Sequence, residues 1–203
     1  MKLRIQILAL MVIQTLLLGG CLLFHSRDPV YSLFESPEPV PGSYQEPKVV
    51  GTLGVLEPEV SPVFERRQIV RRAQGPQLSF LSNDLWAVTP SAGVQSLLLE
   101  RLRDSGIFES IEPERRDLEP RYLLAARLET LEYDNREERA AARVSITLSF
   151  LDARTGDTIA RTEEEIAREL SEATTYQFVV AVNEILGQEI DALIEEIDRW
   201  SAE

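Results

Sequence analysis

The 203-residue chain has a single cysteine and a single histidine. One Cys allows no intrachain disulfide. So small a stock of Cys and His is also a poor basis for zinc, copper or iron–sulfur sites, which are built from those side chains. Positive charge is scarce: 21 Lys and Arg stand against 34 Asp and Glu, a formal net charge of −13. Nucleic-acid binding rests on neutralising phosphates, so this balance argues against a nucleic-acid partner. It argues equally against broad adhesion to anionic lipid. Catalytic signatures are missing too. There is no G-x-S-x-G, no phosphate-cradling glycine loop, no H-E-x-x-H and no C-x-x-C. Carboxylates are plentiful, but Glu163–Glu165 and Glu195-Glu196 read as solvated faces. Asp152 and Asp157 flank a hairpin turn, without the spacing of an EF-hand calcium loop. The expectation is a protein that is not an enzyme, with no metal site and no cofactor.

What is present begins with the N-terminus, MKLRIQILALMVIQTLLLGGCLLF. Lys2 and Arg4 form a short positive region, and an apolar run from Ile5 to Leu18 follows, which is the pattern of a secretory signal. Leu18-Gly19-Gly20-Cys21 resembles a bacterial lipobox, in which the Cys thiol takes a diacylglyceryl group and the chain is cut before it. The other reading is an uncleaved transmembrane anchor, since the apolar run approaches the roughly 20 residues that a span needs. Gln6 and Gln14 within the run, and the placement of the only Cys, favour lipidation at Cys21. Each buried methylene is worth about 0.8 kcal/mol, so two or three acyl chains hold a domain firmly on a bilayer. By resemblance to sorted Gram-negative lipoproteins, Leu22 after the Cys implies the outer membrane.

Residues 21–48 then change character. Pro29, Pro37, Pro39, Pro41 and Pro47, with Gly42 and several Ser, read as an extended Pro-rich tether. Within it Tyr31-Ser32-Leu33-Phe34 has the makings of an edge strand, and His25 falls in the tether rather than in a site. The expected organisation is a signal peptide at 1–20, a lipidated tether at 21–48 and one domain at 49–203. Val49–Leu56 reads as a buried strand stopped by Glu57-Pro58. Gln68–Ala73 and Gln77–Leu81 flank Gly75-Pro76 as a hairpin. Asp84–Val88 leads into a helix with Thr89 as its cap, Pro90 in its first turn, Val94, Leu97, Leu98 and Leu102 on one face, and Gly106 at its end. Ile107–Ile111 reads as a short strand and Tyr122–Tyr133 as a long one. Ala142 to Phe150 alternates strictly, apolar on even numbers and polar on odd, so its sheet has one wet face. Thr158–Ala167 follows as an exposed strand. A long helix, about Thr174 to Trp200, carries the stripe Phe178, Val182, Leu186, Ile190, Leu193, Ile197, Trp200, with Thr174 and Gln177 at capping-box spacing. The fold class expected is α+β: a largely antiparallel sheet with two helices packed on one face.

One stretch stands out, FERRQIVRRAQG at 64–75, four arginines in an acidic chain. Its order among the other features carries a resemblance. A lipobox and Tyr31-x-Leu33 precede an apolar strand. Phe64-Glu65-Arg66-Arg67-Gln68-Ile69-Val70-Arg71-Arg72 comes next, then Leu85-Trp86-Ala87-Val88-Thr89-Pro90 before a capped helix, a strand meander and a long final helix. In this order the chain resembles the ABC-type transport auxiliary lipoproteins, the family that includes PqiC. It departs from the family in lacking a proline between Arg67 and Gln68, and in having Leu85 rather than Arg before Trp86. The resemblance implies a periplasm-facing, non-catalytic accessory subunit that docks to an MCE-domain protein of a lipid transport system. It implies Phe64, Arg67, Gln68, Ile69, Val70, Arg71 and Trp86 as candidate contacts, with Arg67 and Arg71 foremost; the other reading is that they build the sheet edge and core, Trp86 above all, with Ile69 and Val70 near the core and the arginines along the rim. Ring-forming partners are compatible with a homo-oligomer. From a different class, a structural or assembly lipoprotein bound to another outer-membrane or cell-wall component stays open.

Overall fold

The computed structural model describes residues 28–37, 44–115, 117, 119–136 and 139–202. The expectations for residues 1–20 and for Cys21 lie outside the described residues. Nine strands and two helices are present among the described residues: β1 (Val30–Ser32), β2 (Val49–Val55), β3 (Glu59–Val60), β4 (Gln68–Gln74), β5 (Gln77–Trp86), α1 (Pro90–Ser105), β6 (Phe108–Pro113), β7 (Tyr122–Asp134), β8 (Ala141–Asp152), β9 (Thr158–Glu169) and α2 (Thr175–Ser201). The class is α+β, with a large mixed sheet whose longest ladders are antiparallel.

β7 is the spine. Along one edge it pairs antiparallel with β8 over its whole length, and β8 pairs likewise with β9. Along its other edge three short strands take turns, all parallel to it: β2 at Leu53–Val55, β3 at Glu59–Val60 and β4 at Arg71–Arg72. The sheet therefore forks. One branch continues through β2 to β6, the other through β4 and β5 to β1. A bulge in β7 between Leu128 and Thr130 resets its alternation. Without it Leu131 and Tyr133 would turn to the wet face; with it both are buried beside Leu124 and Leu128. On β8 Ala142, Val144, Ile146, Leu148 and Phe150 are all buried, as the alternation requires.

Both helices cover the same face, α2 over β7–β9 and α1 over β2, β3 and β6, and they touch each other. The α2 stripe from Phe178 to Ile197 is buried. Its N-terminus is capped as the sequence predicts, with Thr174 Oγ1 accepting from Gln177 N at 3.2 Å. α1 ends at Gly106 in the left-handed region (φ 68°), with Tyr44 O 2.6 Å from where a Cβ would stand. Its start differs from expectation. Thr89 occupies the cap position but makes no capping bond. Glu65 does the work from 26 residues away: its carboxylate accepts from Ser91 N at 3.1 Å and from Ser91 Oγ at 2.7 Å. An anion at a helix N-terminus satisfies free N–H groups and meets the positive end of the dipole.

β5 runs to Trp86, further than the sequence indicated. Its last residues find partners on both sides: Trp86 N donates to Arg67 O at 2.6 Å, and β1 pairs parallel with Asp84–Trp86.

The edge strand read at Tyr31–Phe34 is present as β1 (Val30–Ser32), and the segment around it, expected to be tether, docks on the domain as well. Residues 30–37 are built into the domain. Phe34 stacks on Trp86 with ring centroids 4.3 Å apart, and it fills a notch over Gly93. Asn183 Nδ2 donates to Leu33 O at 3.3 Å. The buried Arg101 clamps the end of the segment. Its Nη1 donates to Ser36 Oγ and Pro37 O, both at 2.9 Å, while Nε and Nη2 hold Asp191 at 2.7 and 2.6 Å. Further on, Tyr44 N donates to Ser105 O, and Lys48 pairs with Asp198. Local proline content describes the backbone's stiffness, but docking is decided by grooves that two distant helices create.

Candidate partner-docking site

The arginine-rich stretch is a turn followed by β4, and the structure assigns its residues different work. Phe64, Ile69 and Val70 are buried, as is Trp86 on the neighbouring strand. Trp86 sits between Phe34 and Phe178, whose ring centroid is 6.0 Å away. These four side chains build the core, whereas Arg67 and Gln68 are exposed and Arg71 is half-buried.

The arginines separate into two kinds. Arg72 holds Glu132 in a fork, with Nε–Oε1 and Nη2–Oε2 both at 2.8 Å, and the Glu132 side chain is only 3% exposed. Removing Arg72 would strand the buried Glu132 charge. Arg66 lies over the Phe80 ring at 4.1 Å, with its Nε buried and without a hydrogen-bond partner among the described residues. Arg72 is fixed by its ion pair, Arg66 by packing alone. Arg67 and Arg71 are lightly held. Arg67 Nε donates to Trp86 O at 3.1 Å, and its guanidinium lies 5.2 Å from the Tyr31 ring. Arg71 Nε reaches Ser79 Oγ at 3.4 Å. Each makes one side-chain hydrogen bond and keeps most of its five donors. Gln68 is exposed at the start of β4.

Arg71 also lines a groove of about 810 Å³ between β1, β5, the end of β7 and the start of α2. Its walls include Tyr31, Leu33, Leu81, Tyr133 and Val179, with Asp84 and Glu35 as its carboxylates. Burial pushes the Tyr133 phenol up, and the Arg71 charge opposes that shift. A second concavity of about 670 Å³ lies on the wet face of the sheet, where Glu59, Glu129 and Glu163 are interleaved with Arg127 and Arg161. Arg127 pairs with Glu59 and Arg161 with Glu163, two exposed ion pairs among the five glutamates that line the trough. Among the described residues no group of three or more His, Cys, Asp or Glu is arranged to hold a metal ion. No described helix is long and apolar enough to cross a membrane.

A family model described as the ABC-type transport auxiliary lipoprotein component matches residues 31–193. The chain belongs to that family. The match begins at Tyr31, inside the docked segment, and ends at Leu193, near the end of α2. Among solved structures, a Xanthomonas campestris protein superposes with a TM-score of 0.69 at 19% identity, covering 81% of this chain and 92% of that one. An uncharacterised protein gives 0.63 at 14% identity, covering 84% and 99%. At such identities the likeness is one of fold. No curated protein matches.

The sequence pattern found the arginine stretch but not its division of labour. Glu132 and Phe80, which hold Arg72 and Arg66, lie on other strands and are unremarkable in the sequence.

Proposed function

We propose that this auxiliary lipoprotein is the non-catalytic, lipid-anchored subunit of an MCE-type ABC lipid transport system. Cys21 carries the anchor in the outer membrane, the domain faces the periplasm, and the MCE-domain protein is the partner. The family match over 31–193 carries the reading. Two further features support it. Arg67 and Arg71 are lightly held cations on an acidic chain, so they suit recognition of carboxylates on a partner. Gln68 between them offers an uncharged donor and acceptor. The protein has no turnover of its own; it holds or caps the transporter at the membrane.

The test is capture of MCE-domain, permease and ATPase components by the lipidated full-length chain. Arg67→Glu with Arg71→Glu is expected to reduce capture about ten-fold or more, a typical effect of reversing charges at an interface. The circular dichroism spectrum and melting temperature should stay near those of the parent. Capture of an unrelated outer-membrane protein alone would instead mark an assembly lipoprotein. Unfolding of the double variant would make these arginines structural.

A further inference from the structure

Seven large hydrophobic side chains are notably exposed among the described residues, and four of them line one groove: Val30 (46%), Tyr31 (55%), Leu33 (51%) and Tyr176 (73%). Scattered singly, such residues need no explanation; gathered at one site they mark a contact surface. The occupant follows from where the chain leaves the domain. β1 is fixed on β5, and the segment after it is clamped by Arg101. The covalent link from the domain to Cys21 therefore starts at Asp28 and not at Val49. Seven residues span at most about 25 Å, whereas the 28 from Cys21 to Val49 would span about 100 Å.

We propose that the surface formed by Val30, Tyr31, Leu33 and Tyr176 rests on the lipid surface that holds the anchor. The inference rests on the reading of Cys21 as lipidated. The short link brings the end of the domain bearing Val30 to the headgroup layer. The α2 start and the β7–β8 turn lie at the same end, because β7 runs toward it and Thr174–Tyr176 line the groove with Tyr133 and Asn135. Tyrosine suits that layer, with an apolar ring and a hydroxyl for water or headgroups. The patch is small, and it acts because the anchor supplies a high effective concentration. Its carboxylates, Asp84 and Glu35 in the groove and Asp28 at the exit, disfavour a strongly anionic surface. The contact is to zwitterionic lipid, made by apolar and aromatic groups.

The experiment uses the full-length lipidated chain in zwitterionic phospholipid vesicles containing headgroup spin-labelled lipid. The anchor consumes the only native thiol, so Tyr176→Cys and, at the opposite end in the β8–β9 turn, Arg154→Cys each give one labelling site for a fluorophore. Palmitate incorporation is measured on the same preparations. The probe at 176 should be quenched at least three-fold more than the probe at 154. Equal or reversed quenching on palmitate-labelled protein overturns the proposal and leaves the anchor standing. Quenching at neither site, with the 176 probe shielded only when transporter protein is added, assigns the surface to a protein and also overturns it. Absence of palmitate label overturns the anchor and this inference together.

Discussion

Gly93→Ala sets two effects of opposite sign against each other, and the structure decides between them. Gly93 lies inside α1, where alanine is worth up to about 1 kcal/mol by helix propensity. On that ground alone the change stabilises. A Cβ at Gly93, however, would lie 2.6 Å from Phe34 Cε2 and 2.8 Å from Cγ, and closer still to Cδ2. Carbon atoms need about 3.5 Å, so the ring must leave. Phe34 then loses its stack on Trp86, worth about 0.5–1.5 kcal/mol, and much of the burial of its side chain, worth up to about 3 kcal/mol. The net effect is a destabilisation of about 1–3 kcal/mol, which lowers the melting temperature of a domain of this size by roughly 3–10 °C. Hydrogen exchange at residues 30–36 should accelerate, and emission from Trp86 should shift to the red as its cover leaves. The decisive arm is the same substitution in a Phe34→Ala background. With the ring gone the clash is gone, and Gly93→Ala should raise the melting temperature by about 1–3 °C. A stabilising Gly93→Ala in the parent, or the same sign in both backgrounds, refutes the docking of the segment over this notch.

The other predictions test single contacts. Glu65→Ala removes the distant cap of α1 and should cost about 1 kcal/mol, read from the urea midpoint; Glu65→Gln, which keeps an acceptor, should cost less. Glu189 is buried on α2 with Oε2 unpartnered among the described residues, and burial, helped by the Glu164 charge, raises its pKa above the ordinary value of 4.5. The folded chain thus keeps this proton to higher pH than the unfolded one. Stability falls as pH rises from about the ordinary value through the folded one, and then levels. Glu189→Met should raise the melting temperature at neutral pH, by about 1–3 kcal/mol of stability, and change little near pH 4.

How far the sequence reveals this fold follows the range of the forces involved. The alternation on β8 and the stripe on α2 are local patterns with one solution each, and both elements form where they were read. The hairpin at Gly75-Pro76 is local in the same sense. The two-residue β3 has no pattern to show, and it exists because β7 has a free edge between β2 and β4. Thr89 before Pro90 is a sound local cap, yet Glu65 outcompetes it, since a full charge held by the turn before β4 is the better acceptor. The same limit applies at the candidate site. Four arginines in nine residues look alike until Glu132 and Phe80, brought in by other strands, fix Arg72 and Arg66. Only the fold can say that Arg67 and Arg71 are the lightly held pair.

Docking of the N-terminal segment links the two proposals. Tyr31 belongs to the membrane-facing surface and also lies under the Arg67 guanidinium, so the lightly held cations stand beside the lipid contact. A partner that reaches Arg67 must then approach close to the bilayer, within the roughly 25 Å that the seven-residue link permits. Releasing the segment as far as the Arg101 clamp at Ser36-Pro37 would extend that limit to about 55 Å while leaving the arginines unchanged. Gly93→Ala therefore separates reach from recognition. If capture depends on a fixed height above the membrane, the variant loses capture even with Arg67 and Arg71 intact, and Phe34→Ala should lose it likewise. If both variants capture the partner as the parent does, the arginines act alone and the height of the domain is irrelevant to docking.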